Sequence, residues 1–255
     1  MKIFSVFYGG VSYIVFFASF LYAIGFSGNL IVPKGIDAGA PASLAEALAV
    51  NLGLLALFAI QHTVMARPAF KEWWTKIIPE QLERSTFVLA ASLILLLLYW
   101  QWRPMTGIVW SVDNTIGAGI LWGIFAFGWL IVLVSTFLIN HFDLFGLRQV
   151  WKHFRGIEYE HVPFQTNSLY KIVRHPIMLG FIIAFWATPQ MTAGHLLFAI
   201  ATTAYIIIGV HFEEHDLKAF LGEDYGKYQG EVPMLCPFRI GKPHNAPKDA
   251  AGRAD

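Results

Sequence analysis

Six apolar runs, each about twenty residues long, divide the chain, and almost no charge interrupts them. They cover 3–26, 44–65, 85–102, 115–139, 169–191 and 194–212. A helix of about 20 apolar residues crosses the ~30 Å hydrocarbon core of a bilayer. No water is available there, so a spanning segment must satisfy its own backbone hydrogen bonds, which favours helices. The fifth run is the weakest, because Arg174, His175 and Pro176 sit near its start. Only 14% of the residues are charged against 56% hydrophobic, whereas a soluble domain carries about a quarter charged. The expected fold is therefore an all-α integral membrane protein, a bundle of five to six transmembrane helices. One domain over 1–240 accounts for the length, and the tail 241–255, rich in Pro, Ala, Lys and Asp, is expected to be disordered. The first run is longer than the apolar core of a signal peptide and reads as a retained span.

Lys and Arg fix the expected orientation. Sixteen of the eighteen fall in 2, 66–84, 140–174 and the stretch after 213, and the other side keeps only Lys34 and Arg103. A six-span, multi-pass arrangement puts all sixteen, and both termini, on the cytoplasmic side of the cell membrane. The last two runs should then form a tight antiparallel hairpin. Residues 70–78 mix aromatic, apolar and basic residues at helical spacing, as an interfacial helix does. Trp100, Trp102 and Trp110 suit an aromatic belt at the opposite face. The net charge of +1 gives no sign of a nucleic-acid partner, and membrane lipid is the expected surroundings. Cys236 is the single cysteine, which excludes an internal disulfide and a Cys-based metal site. Nothing in the sequence sets an oligomeric state.

Charge is costly beside hydrocarbon, so acids and bases at the ends of such runs mark functional positions. The segment 140–174 is too apolar for disorder and is expected to pack as helix against one mouth of the bundle. It carries His141, Asp143, Arg148, Trp151 and His153. His62 follows a long apolar run. His211 and His215, four apart, share a helix face, but the sequence between them is not that of a zinc protease, and no metal is expected.

Two patterns complete the reading. Arg174-His175-Pro176 with Gly180, then Glu213-Glu214, Leu217, Phe220, Gly222, Tyr225, Tyr228 and Val232-Pro233, resembles the isoprenylcysteine carboxyl methyltransferase superfamily. Gln61-His62, Met65-Ala66-Arg67, Phe70-Lys71, Pro79 and Glu83-Arg84-Ser85, with Asn140 to Gly146, is similar to the bacterial methanethiol S-methyltransferase family within it. The resemblance implies S-adenosylmethionine as cofactor, bound at the cytoplasmic side, and a small-molecule thiol as acceptor. Methanethiol would become dimethyl sulfide, with hydrogen sulfide as a further acceptor to consider. It assigns the cofactor to Tyr170, Val173, Arg174, His175, Leu179, Glu213, Glu214 and Tyr225. Met178 stands where the superfamily has Tyr, so no tyrosine contact is expected there. A thiol needs a base to become the reactive thiolate, and His62, His141 and Asp143 are the catalytic candidates, an Asp-oriented His being the simplest arrangement. Trp151, Tyr205 and His211 are the substrate candidates. Rival readings are a methyltransferase with a prenylcysteine or lipid acceptor, an NADPH-dependent membrane reductase, and a non-catalytic transporter or sensor.

Overall fold

The structure, a computed structural model, describes residues 2–160 and 162–238. The expected disordered tail lies outside the described residues. Ten helices and two strands follow in order: α1 (Lys2–Gly28), α2 (Leu44–Ala66), α3 (Pro68–Trp74), α4 (Glu80–Gln101), β1 (Ile108–Ser111), α5 (Thr115–Ile139), α6 (His141–Leu144), α7 (Leu147–Arg155), α8 (Pro176–Trp186), β2 (Gln190–Thr192), α9 (Ala193–Leu221) and α10 (Glu223–Glu231). A 3₁₀ turn at Ser168–Lys171 precedes α8. Among the described residues, five helices are long and apolar enough to cross a bilayer: α1, α2, α4, α5 and α9. The protein is a multi-pass membrane bundle.

Short polar side chains set where several helices begin. Ser43, Asn114 and Thr192 each accept a hydrogen bond from the backbone N–H three residues on, which caps α2, α5 and α9. Asn140 does the same for α6, turning the chain out of α5. At the other end of the bundle Asn51 holds the backbone of Arg103 through both its amide groups, at 2.8 Å each, and so locks α2 to the exit of α4. Phe26, Tyr99, Trp102, Phe125, Trp129, Phe185 and Phe198 fill the core between the helices. Trp102 is fully buried in it, so it is a core residue and not the belt residue expected, while Trp100 faces outward.

The fifth run, 169–191, differs from expectation. α8 has 11 residues, which gives about 16 Å of helix, half of the core thickness. Beyond Trp186 the chain runs extended into β2, which pairs antiparallel with β1. The last two runs are thus joined through a strand and not by a tight helical hairpin. Trp110 Nε1 donates to the Thr188 carbonyl at 3.2 Å, Val112 N–H to Pro189, and one nitrogen of the His195 ring lies 2.9 Å from the Phe185 carbonyl. These bonds satisfy backbone groups released by the break, as irregular chain at membrane depth requires.

α8 lies against α5 with almost no side chain between them. A methyl group on Gly128 would sit 2.7 Å from the Ala184 nitrogen, and one on Gly180 would sit 2.7 Å from the Gly128 carbonyl. Small residues at such crossings let backbones approach in lipid, where dispersion replaces the hydrophobic effect. Gly128→Ala and Gly180→Ala should each cost about 1–3 kcal/mol through overpacking. Gly53→Ala should cost nothing comparable, because a methyl there meets nothing within 4 Å. Thermal unfolding in detergent checks this, and equal midpoints for all three variants would contradict it.

Candidate active site

The pattern residues of the last third meet at the end of the bundle where α2, α5 and α9 finish and α4 and α8 begin. Arg174 precedes α8 and Glu214 lies near the end of α9. The guanidinium grips the carboxylate with Nε and Nη2, at 2.6 and 3.1 Å. His175 Nε2 adds a contact at 3.0 Å and the Gln229 amide another at 3.0 Å. Arg174 Nη1 also donates to the carbonyls of Gln229 and Val232, and the backbone N–H groups of Arg174 and His175 donate to Pro233 and Met234. Glu214 is therefore saturated by the protein, and Arg174 and His175 brace it. This fixes α8, α9 and α10 together.

Glu213 is left differently. Its side chain is 48% exposed against 12% for Glu214, and its contact at ion-pair range among the described residues is His175 Nδ1 at 3.6 Å. Four groups sense its charge: Arg84 on α4, Tyr170 in the 3₁₀ turn, Tyr205 on α9 and Tyr225 on α10. Glu213 thus faces the space between those elements. Tyr205, Gly209 and Glu213 recur every four residues and share one face of α9. A methyl group on Gly209 would meet nothing within 4 Å, so open space lies beside α9 between the phenol and the carboxylate.

Tyr170 and Tyr225 border the same space and are nearly buried. Burial pushes both phenols above their ordinary range, and the nearby acids, Glu213 for Tyr170 and both glutamates for Tyr225, add to it. The Tyr225 hydroxyl has no hydrogen-bond partner. Tyr228 donates to the Tyr170 carbonyl at 2.6 Å and is pushed up to about 12, chiefly by burial. Val173 is buried beside them and Leu179 is half-buried on the first turns of α8.

His62 comes from α2. Its ring lies against Phe58 at 5.2 Å, Phe87 at 4.8 Å and Tyr205 at 6.5 Å. Its Nδ1 is sealed from solvent with no partner, and its other nitrogen is also unbonded but not sealed. Tyr205 OH lies 3.3 Å from Thr63 Oγ1, so α2 and α9 meet beside this imidazole.

The other two base candidates are occupied. His141 lies between Tyr13 OH and Thr136 Oγ1, both at 2.8 Å, and stacks on Phe137. Burial lowers its proton affinity below the ordinary imidazole value. Asp143 holds Arg148 at 3.0 Å and accepts from Tyr159 OH at 3.1 and 3.2 Å. Burial first, then Asp143, pushes the Tyr159 phenol up to about 12. No histidine is paired with an aspartate in the way expected for an Asp-oriented base: the one such contact among the described residues, His215 with Asp216 at 3.6 Å, is on an 84% exposed side chain. Two substrate candidates also lie apart. His211 is exposed and bonds back to the Ile207 carbonyl, and Trp151 is exposed on α7, stacked on Phe154. Of the three, Tyr205 alone borders the open space beside Gly209. A 550 Å³ groove between α9 and α10, lined by Lys218, Gly222, Glu223, Gly226 and Lys227, touches none of these residues.

Sequence reasoning passed over Arg84, Tyr159, Gln229 and Gly209 as site residues. An arginine directly before the 85–102 apolar run was the available signal for Arg84. A glycine at the midpoint of a polar i, i+4 stripe was the signal for Gly209.

Fold and site together define a polytopic membrane protein whose polar centre lies at one end of the bundle. The NnrU protein family matches residues 51–221, and the chain belongs to that family, on the branch that holds the methanethiol S-methyltransferases. It is 55% identical over 234 residues to the Methanethiol S-methyltransferase of Mycobacterium tuberculosis (strain ATCC 25618 / H37Rv), covering 92% of this chain and 96% of that protein. It is 60% identical over 230 residues to Methanethiol S-methyltransferase 2 of Bradyrhizobium diazoefficiens, covering 90% and 88%. Nurim of Bos taurus is more distant, at 28% over 187 residues, 69% of this chain and 70% of that protein. No solved structure matches the chain.

Breaking a mostly buried ion pair costs about 3–5 kcal/mol, because the remaining charge is stranded. Arg174→Gln should therefore loosen the 222–238 segment. Trypsin in mild detergent should cut at Lys227 in the variant at least tenfold faster than in the parent chain. Unchanged cleavage would show that other contacts hold α10.

Proposed function

We propose that this protein is an S-adenosylmethionine-dependent S-methyltransferase that converts methanethiol to dimethyl sulfide. Both termini and the donor site face the cytoplasm, as the asymmetry of Lys and Arg directs. One observation carries the reading: a free carboxylate, Glu213, stands above a bare patch of α9 at Gly209, with the unbonded imidazole of His62 reached through Tyr205.

The residues present suit the donor. S-adenosylmethionine supplies, when bound, a methyl group on a positively charged sulfur. Glu213 offers a carboxylate to accept hydrogen bonds from a ribose diol, and Tyr225 offers an unpartnered hydroxyl. Tyr170, Val173 and Leu179 provide the apolar wall against which an adenine ring packs. Arg174, His175 and Glu214 hold that wall in place and make no direct contact with the donor. Tyr205 presents an aromatic face, which attracts cations.

His62 takes the thiol proton on its unsealed nitrogen, Nε2. It has the position for this because Phe58, Phe87 and Tyr205 fix its ring and keep water away. A positioned base contributes about 10²–10⁴-fold. His141 and Asp143 act at a distance. His141 ties α1 to the end of α5, and Asp143 accepts from Tyr159 and so ties the chain just after α7 back to α6. A small apolar thiol partitions into lipid and needs no polar entrance.

Purified protein in detergent, given S-adenosylmethionine and methanethiol, should release dimethyl sulfide, measured by headspace gas chromatography. No product above the protein-free control would end the proposal. Glu213→Gln and Gly209→Leu should weaken donor binding at least tenfold by calorimetry without lowering the melting temperature. His62→Gln should bind donor normally and lose about 10²–10⁴-fold in turnover. A His62→Gln enzyme at full rate would transfer the base role to another group.

A further inference from the structure

We propose that Arg84 is a catalytic residue that holds the acceptor sulfur as thiolate beside His62. The proposal rests on the methyltransferase reading above.

Arginines in the described residues are almost all spent on carboxylates. Arg67 pairs with Asp216, Arg103 with Glu46, Arg148 with Asp143 and Arg174 with Glu214. Arg155 is exposed on α7. Arg84 is the exception, since it lies inside the bundle and forms no ion pair among the described residues. A guanidinium stays protonated in proteins, and an unpaired charge at such depth is costly, so it marks function.

Its pose is fixed from two sides. Nε donates to the Leu144 carbonyl at 2.7 Å, and the guanidinium lies over the Phe87 ring, 5.1 Å from its centre. Both terminal nitrogens remain without a partner, yet neither is sealed off. They present a rigid fork to the open space. The nearest acids do not neutralise it: Asp143 is held by Arg148 and Tyr159, and Glu83 and Glu213 act on it only from beyond ion-pair distance. Phe87 also touches the His62 ring at 4.8 Å, so cation and base flank one phenyl group.

The site therefore lacks one anion, and the reaction makes one. The thiol S–H bond breaks, its proton passes to His62 Nε2, and the electron pair stays on sulfur opposite the guanidinium. That pair then forms the new sulfur–carbon bond to the methyl group. The donor's methyl–sulfur bond breaks with its electrons remaining on the donor sulfur, which becomes neutral. The proton leaves from His62 to water. Arg84 exchanges no atom and supplies only a fixed positive charge where negative charge develops.

Arg84→Gln and Arg84→Lys test this. Calorimetry with S-adenosylmethionine should give both variants the parent affinity, which shows that fold and donor site are intact. With methanethiol at pH 7, kcat/KM of Arg84→Gln should fall about 10²–10³-fold, the usual loss of one charge-stabilising donor. The gap should close as pH rises to 10, because hydroxide then supplies the thiolate. 2,2,2-Trifluoroethanethiol, a far more acidic thiol, should lose less than a tenth as much, and Arg84→Lys should retain an intermediate rate. A loss equal for both thiols and flat with pH would overturn the proposal, as would a loss of donor affinity. If the parent protein forms no methylated thiol at all, the reading beneath the proposal fails instead.

Discussion

Arg174 and Glu214 meet with both guanidinium–carboxylate bonds formed, and their side chains keep only 10% and 12% of their surface exposed. Each charge there would be expensive alone. Paired, with Gln229 and two backbone carbonyls added, they set the height of α9 against α8 and hold α10 below. Glu213 inherits its place from this. Successive residues on a helix point about 100° apart, so clamping Glu214 to the α8 side turns its neighbour toward Tyr205, Arg84 and the bare surface at Gly209. A register slip that carried Glu213 into the clamp would bring Phe212 to its old position and remove the carboxylate from beside Gly209.

The opposite end of the bundle is built by other means. There α8 stops halfway and the chain continues as a strand, with its backbone bonded to Trp110, Val112 and His195. Asn51 fixes α2 to α4, and Asp37 joins Thr192 to Asn29. The backbone contact at Gly128 and Gly180 makes α5 and α8 one rigid pair. One half of the bundle is thus stiffened by backbone contact, while the end that carries Arg174 and Glu214 is held by polar side-chain bonds.

Much of this was readable from the residues, for identifiable reasons. Five of the six apolar runs became long helices, since charge-free length is a local property. The run at 169–191 misled because residue count says nothing about where a backbone leaves the helix. Its break depends on pairing with β1, some eighty residues earlier. Clustering of Arg174, His175 and the two glutamates followed from pattern. Which glutamate stays free did not, because Gln229 and the carbonyls after it decide that through tertiary contact. His141 looked available beside Asp143, but Tyr13, 128 residues away, claims its ring. Arg84 stood in plain view. Its lack of an ion-pair partner among the described residues is a property of the folded state, and no sequence displays that.

The membrane setting also bears on the proposed chemistry. Transfer of a methyl group from a sulfonium to a thiolate consumes one positive and one negative charge and leaves two neutral sulfides. Water stabilises the separated charges and so opposes that step. At an effective dielectric constant of about 20, opposite charges at 4 Å attract about four times more strongly than in bulk water. Aromatic surroundings such as Phe58, Phe87 and Tyr205 give His62 would keep this attraction, provided something first stabilises the anion. A neutral pocket alone would only make the thiol harder to ionise. The roles proposed for His62 and Arg84 answer both demands: the imidazole would remove the proton and the guanidinium would keep the resulting charge. The neutral thioether then has no reason to stay, and the surrounding lipid takes it away.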